Sequence, residues 1–149
     1  MSRQPLTDEE TGALIEDMVS ALVNGDKKTA AAKFSYLGNN STEAEMFAAC
    51  CGIAHLGLQA LHQLPRCMHR TFWTVADVNA RATDANPPEM WAARFFVAYA
   101  NNDRDNATAL FRTAAQASET EYVDSVCYLL RQVVGLIKGI RQAQQGGRS

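Results

Sequence analysis

Seven points along this chain carry the chemistry of a helix start, and they constrain the fold more than any other feature. A helix begins with amide groups that have no partner within it. A Ser, Thr, Asp or Asn side chain satisfies one, and an acid three residues later reaches back to another. The pattern occurs at Thr7 with Glu10, Thr42 with Glu45, Thr74 with Asp77, Asn86 with Glu89, and Ser118 with Glu121. Asp26 and Asp103 are two further capping residues. Asn86 is followed by Pro87 and Pro88, and proline suits the first helical turn. Asn24-Gly25, Gly38-Asn39-Asn40 and Asn101-Asn102 supply the stops.

The apolar spacing between these signals is helical. Leu14, Ile15, Met18, Val19, Leu22 and Val23 recur one turn apart, as do Ala30, Phe34 and Leu37. Met46, Phe47, Cys50, Ile53, Ala54, Leu58 and Leu61 form one arc, and Val123, Val126, Leu130, Val133, Ile137 and Ile140 another. Helices are predicted near 8–23, 27–37, 43–63, 75–84, 87–100, 104–117 and 119–143. No stretch alternates apolar and polar strand formers. The expected fold is therefore all-α, a single domain of about seven helices in stacked antiparallel pairs. Leu64 to Trp73 is the one long connection, and Gln144 to Ser149 reads as a flexible tail.

The chain also repeats itself at a constant offset of 77 residues, Asp26 to Asp103. Ala21/Ala98, Asn24/Asn101, Ala30/Ala107, Ala32/Ala109, Phe34/Phe111, Ser41/Ser118 and Cys50/Cys127 all keep that offset without a gap. Two similar units, about 8–63 and 87–143, would be joined by 64–86.

Within each unit, Gly25-Asp26-x-x-x-Ala30-x-x-x-Phe34 and Asn102-Asp103-x-x-x-Ala107-x-x-x-Phe111-x-x-Ala114 resemble the turn and second helix of a tetratricopeptide repeat. Trp91 falls where that family often carries tryptophan. Asp17 and Arg94 stand where the family prefers leucine, and Ala21 and Ala98 where it prefers tyrosine. The resemblance implies a tetratricopeptide-like or α-solenoid-like stack, with an orthogonal bundle as the other arrangement. It also implies a concave surface for a protein or peptide partner.

Composition excludes several classes. Hydrophobic residues make up 47% and charged residues 20%, which is too apolar for a disordered chain. The net charge of −2 supplies no field for nucleic acid or an anionic membrane. Tyr128 to Ile140, read as the most apolar stretch, is interrupted by Arg131 and Lys138 and is too short for a membrane span. The first ten residues hold no apolar run. Cys50, Cys51, Cys67 and Cys127 form no C-x-x-C pair and read as reduced core thiols. A soluble, cytoplasmic protein is expected.

No nucleophile-elbow, zinc-protease, P-loop or dinucleotide-binding pattern occurs. Most acids stand at helix starts, where capping explains them. No catalytic residue and no cofactor is expected. The one chemical constellation is Cys51 with His55, four apart on one helix edge, so that both side chains could reach one metal or haem iron. Cys67, His69 or Cys127 would have to complete the site. The expected function is an interaction scaffold or regulatory adaptor without enzymatic activity. A metal- or haem-binding helical protein is the alternative, or a nucleic-acid-associated regulator using basic residues such as Lys27, Lys28, Arg66 and Arg131. Trp73 and Trp91 read as core plugs, either becoming an interface anchor if it lies at the surface. The partner-binding candidates are Trp73, Arg66 and Arg70 in the connection and Tyr122, Leu129 and Leu136 on the last helix. That helix could also pair two copies of the chain.

Overall fold

All seven capping side chains accept an N–H of the first turn, and three of the five paired acids are seen to reach back. The Thr7, Thr42 and Thr74 hydroxyls accept the N–H groups of Glu10, Glu45 and Asp77. Those acids reach back to the cap N–H groups. Asp26, Asn86, Asp103 and Ser118 accept from Thr29, Glu89, Asn106 and Glu121. In a computed structural model, which describes residues 6–65, 68, 70–79 and 84–146, the resulting helices are α1 (Asp8–Val23), α2 (Lys27–Asn40), α3 (Glu43–Leu61), α4 (Val75–Val78), α5 (Pro87–Ala100), α6 (Arg104–Gln116) and α7 (Glu119–Gly146). Among the described residues the fold is all-α, with these seven helices and no strand.

Five helix ends differ from expectation, those of α3 and α6 by two residues or fewer and three others by more. Helix α2 runs through Gly38-Asn39-Asn40 instead of stopping at Leu37, and the Asn40 side-chain amide donates to the Tyr36 carbonyl 2.8 Å away. Glycine and asparagine each cost a helix only about 1 kcal/mol or less, too little to end one without help. Helix α4 is a single turn rather than 75–84. The Gln132 side chain takes the Val78 carbonyl, and Asn79 turns to extended backbone. Residues 80–83 lie outside the described residues. Gln144 to Gly146, expected in a flexible tail, are the last residues of α7.

The chain divides into two compact units, Met1–Ile53 and Ala54–Ser149, with the division inside α3. In the first, α1 packs on α2 across a three-residue turn. Gly25 there has φ +80°, which glycine adopts at no steric cost. The Asp26 N–H reaches the Ala21 carbonyl at 2.8 Å, and the Gly25 N–H reaches Leu22 at 3.1 Å, the paired bonds of a Schellman stop. Ile15, Met18, Val19, Ala30, Leu37, Met46, Ala49, Cys50 and Ile53 are buried. Gly52 lets α3 approach α1, since a Cβ there would lie 3.0 Å from Ile15 Cδ1.

In the second unit α5 packs against both α6 and α7. Its turn to α6 repeats the first turn bond for bond: Asp103 N–H to Ala98 at 2.8 Å and Asn102 N–H to Tyr99 at 3.0 Å, with Asn102 at φ 58°. Asparagine is among the few side chains that tolerate this region. Ala30 and Ala107, which share the 77-residue offset, are both buried. Phe34 and Phe111 are not equivalent: Phe111 is buried, its ring edge-to-face with Tyr122 at 5.9 Å, whereas Phe34 is half-buried. The position matching Tyr122 in the first unit is Glu45, which supplies no ring.

Helix α3 contradicts the expectation that Tyr128–Ile140 is the most apolar stretch. It is long and apolar enough, by length and composition, to cross a membrane, with a mean hydropathy of 1.3. Its core positions explain that composition: Met46, Ala49, Cys50, Ile53, Ala54, Ala60 and Leu61 are all buried, and a helix with little polar face is suited to a protein interior.

Candidate functional site

The connection after α3 is built around one side chain. The Trp73 N–H donates to Asn101 Oδ1 at 2.7 Å, and Asn101 Nδ2 donates to the Trp73 carbonyl at 2.9 Å. Asn101 is also the C-cap of α5, so the clamp is mounted on a helix end. Two bonds to one residue fix its backbone, and Trp73 enters the core at 7% exposure. Phe72, its chain neighbour, stands out at 68%, and Met68 at 53%. Between them in the chain is Arg70, whose guanidinium lies 3.5 Å from Asp77 Oδ1 with the arginine side chain 60% exposed. Hydrogen bonds from the Thr74 backbone and side chain, helped by Arg70, hold the Asp77 carboxyl below the usual range.

Trp73 is thus a core residue, and the exposed aromatic of the pair is Phe72. Trp73 takes the core position read for it, and the clamp from Asn101, 28 residues away, fixes its backbone there. Arg70 is on the surface. Arg66, with Cys67 and His69, lies outside the described residues.

The candidates on α7 separate. Leu129, offered as a partner contact, has no exposed surface and is core, together with Val126, Leu130 and Val133. Within this unit α7 packs against α5 and α6, and of its apolar arc Val126, Leu130, Val133 and Ile140 are buried whereas Val123 is exposed. Tyr122 is half-buried against Phe111. Leu136 is half-buried and lines an open groove of about 430 Å³ with Val78, Asn79, Glu89, Tyr128, Arg131, Gln132 and Gly135. The groove's walls are braced. Asn86 Nδ2 donates to the Tyr128 hydroxyl at 2.9 Å, the Arg131 guanidinium sits 5.1 Å from the centre of the Tyr128 ring, and Gln132 holds the Val78 carbonyl.

The cysteines and histidines fall elsewhere. Cys50 is fully buried, and burial pushes its thiol far up; Cys51 is half-buried. His55 is exposed, with Nδ1 3.0 Å from the Tyr99 hydroxyl and the two rings edge-to-face. Among the described residues no group of three or more His, Cys, Asp or Glu side chains is placed to hold one metal ion. Cys51 and His55 are thus not joined there by the further ligands that such a site requires.

No family model matches the chain, and comparisons with curated proteins and with solved structures give no match.

Proposed function

We propose that this chain is a soluble, cytoplasmic docking module that binds a protein or peptide partner through the connection between α3 and α4, without chemistry of its own. The observation that carries this reading is the pairing of Phe72 and Trp73. A chain that buries one ring of the pair leaves the other largely in water, and a two-point clamp holds it there. A single exposed apolar residue is ordinary on a protein surface. Here an aromatic, a methionine and an arginine stand within five residues, and these three types are enriched at protein interfaces. The resemblance of the two turns to tetratricopeptide hairpins points the same way, since such hairpins serve as scaffolds.

The test is retention of proteins by the immobilised full chain, compared with its Phe72→Ala form. Because Phe72 is outside the core, the variant should keep the helical circular dichroism and thermal midpoint of the parent. It should lose a specific retained protein. Identical sets retained by the two forms would remove this surface from the function.

A further inference from the structure

The proposed docking surface has a charge bias that specifies its partner's chemistry, and the specificity inferred from it rests on the docking role of Phe72. The chain as a whole is slightly acidic, with 16 Asp and Glu against 14 Lys and Arg. Its acids are unevenly placed. None occurs between Glu45 and Asp77, and that interval holds Arg66 and Arg70. Met68, Arg70 and Phe72 therefore come from a stretch of sequence with arginines and no acid, in a protein that is anionic overall.

The acid that closes the interval pairs with Arg70 but leaves it with donors to spare. Asp77 is occupied by its own helix cap, taking hydrogen bonds from the Thr74 N–H and hydroxyl, both at 2.9 Å. Its Oδ1 meets Arg70 from one side at 3.5 Å, and the arginine side chain remains 60% exposed. A guanidinium has five N–H donors, so one carboxylate leaves it with outward donors for another. Asp77 thus positions Arg70, whose side chain remains largely in solvent two residues before Phe72 in the chain. Guanidinium forks match carboxylates in pairs of parallel hydrogen bonds.

We infer that Met68, Arg70 and Phe72 dock an acidic segment of a protein partner, with an apolar partner side chain against Phe72 and a partner carboxylate on Arg70. An anionic membrane presents the same charge. One aromatic and one methionine give it little apolar insertion, however, and stable membrane attachment needs two strong signals. The net charge of −2 also works against it.

The experiment uses the full chain and three probes. The first is a short fluorescein-labelled amphipathic peptide with glutamates and leucines at helical spacing. The second is the same peptide with every glutamate replaced by lysine. The third is vesicles of phosphatidylcholine and phosphatidylserine. Fluorescence anisotropy should show the glutamate peptide binding and the lysine peptide not. Phe72→Ala should weaken binding by about tenfold or more, as truncation of an interface anchor does. Arg70→Glu should reverse the preference between the two peptides, which a merely structural arginine would not do. Binding should weaken with added salt. If Arg70→Glu left the preference unchanged, Arg70 would not be the carboxylate contact. If both peptides bound the parent equally, or the lysine peptide bound better, with Phe72→Ala weakening them, the acidic partner would be wrong and the docking surface would stand. If Phe72→Ala changed nothing, the docking surface itself would fall. Binding to the vesicles alone, or to none of the probes, overturns the inference.

Discussion

Asn101 and Trp73, 28 residues apart, exchange two hydrogen bonds, the Asn101 side chain accepting from the Trp73 N–H at 2.7 Å and donating to its carbonyl at 2.9 Å. An asparagine that ends one helix thereby sets the path of a connection that precedes it in the chain. Asn101→Ala should leave a part-buried N–H and carbonyl unpaired, at about 1–3 kcal/mol for a stranded polar group. A lowered urea midpoint, with Trp73 emission shifted to the red, is the expected result. Unchanged emission would mean that packing alone seats the indole.

The two phenylalanines that share the 77-residue offset should respond differently. Phe111→Ala removes a buried ring and its edge-to-face partner, and should cost about 3–5 kcal/mol. Phe34→Ala removes a half-buried ring and should cost about 1 kcal/mol. Equal losses in equilibrium denaturation would contradict the unequal burial.

Glycines within helices separate by what surrounds them. A Cβ at Gly57 would come 2.7 Å from Phe96 Cε2 and 3.1 Å from Val133 Cγ2, both in fully buried side chains. Gly57→Ala should therefore destabilise by about 1–3 kcal/mol through overpacking. Gly12 has nothing within 4 Å, and Gly12→Ala should stabilise by up to about 1 kcal/mol through helix propensity. Thermal midpoints moving in opposite directions would verify the pair, and a gain at Gly57 would show that α3 has room at this point.

Acid should weaken the first helical hairpin at its cap. The Thr29 hydroxyl and then its N–H donate to Asp26 and hold that carboxyl below its usual range. A carboxylate with a lowered folded pKa contributes stability that is fully present above its unfolded value. That stability is lost as pH falls through the folded one. Urea midpoints measured downward from pH 5 should fall more steeply for the parent than for Asp26→Asn, which keeps a capping side chain without the titration. Parallel slopes would mean that Asp26 contributes nothing to acid sensitivity.

Much of this fold is local, and local structure is legible. Each capping residue from Thr7 to Ser118 needs only neighbours three residues away, so spacing alone located all seven helix starts. Stops were harder, because Gly38-Asn39-Asn40 costs a helix little, whereas α4 ends where Gln132, 54 residues on, takes the Val78 carbonyl.

The candidate site followed the same division. Periodicity showed that α7 has a wide apolar arc, yet it could not show that Leu129 has no exposed surface. The connection was recognisable by its proline, arginines and aromatic pair. Which aromatic faces water depended on Asn101, since burial is set by what lies across the core and not by what adjoins in the chain. By itself the sequence determined where helices begin and that every element would be helical, because those choices rest on hydrogen bonds and apolar spacing within one or two turns. Only the tertiary structure decided that Phe72 is exposed, that Phe34 and Phe111 differ, and that Gly57 admits a neighbouring ring. Each of these depends on side chains that meet only after distant helices have packed.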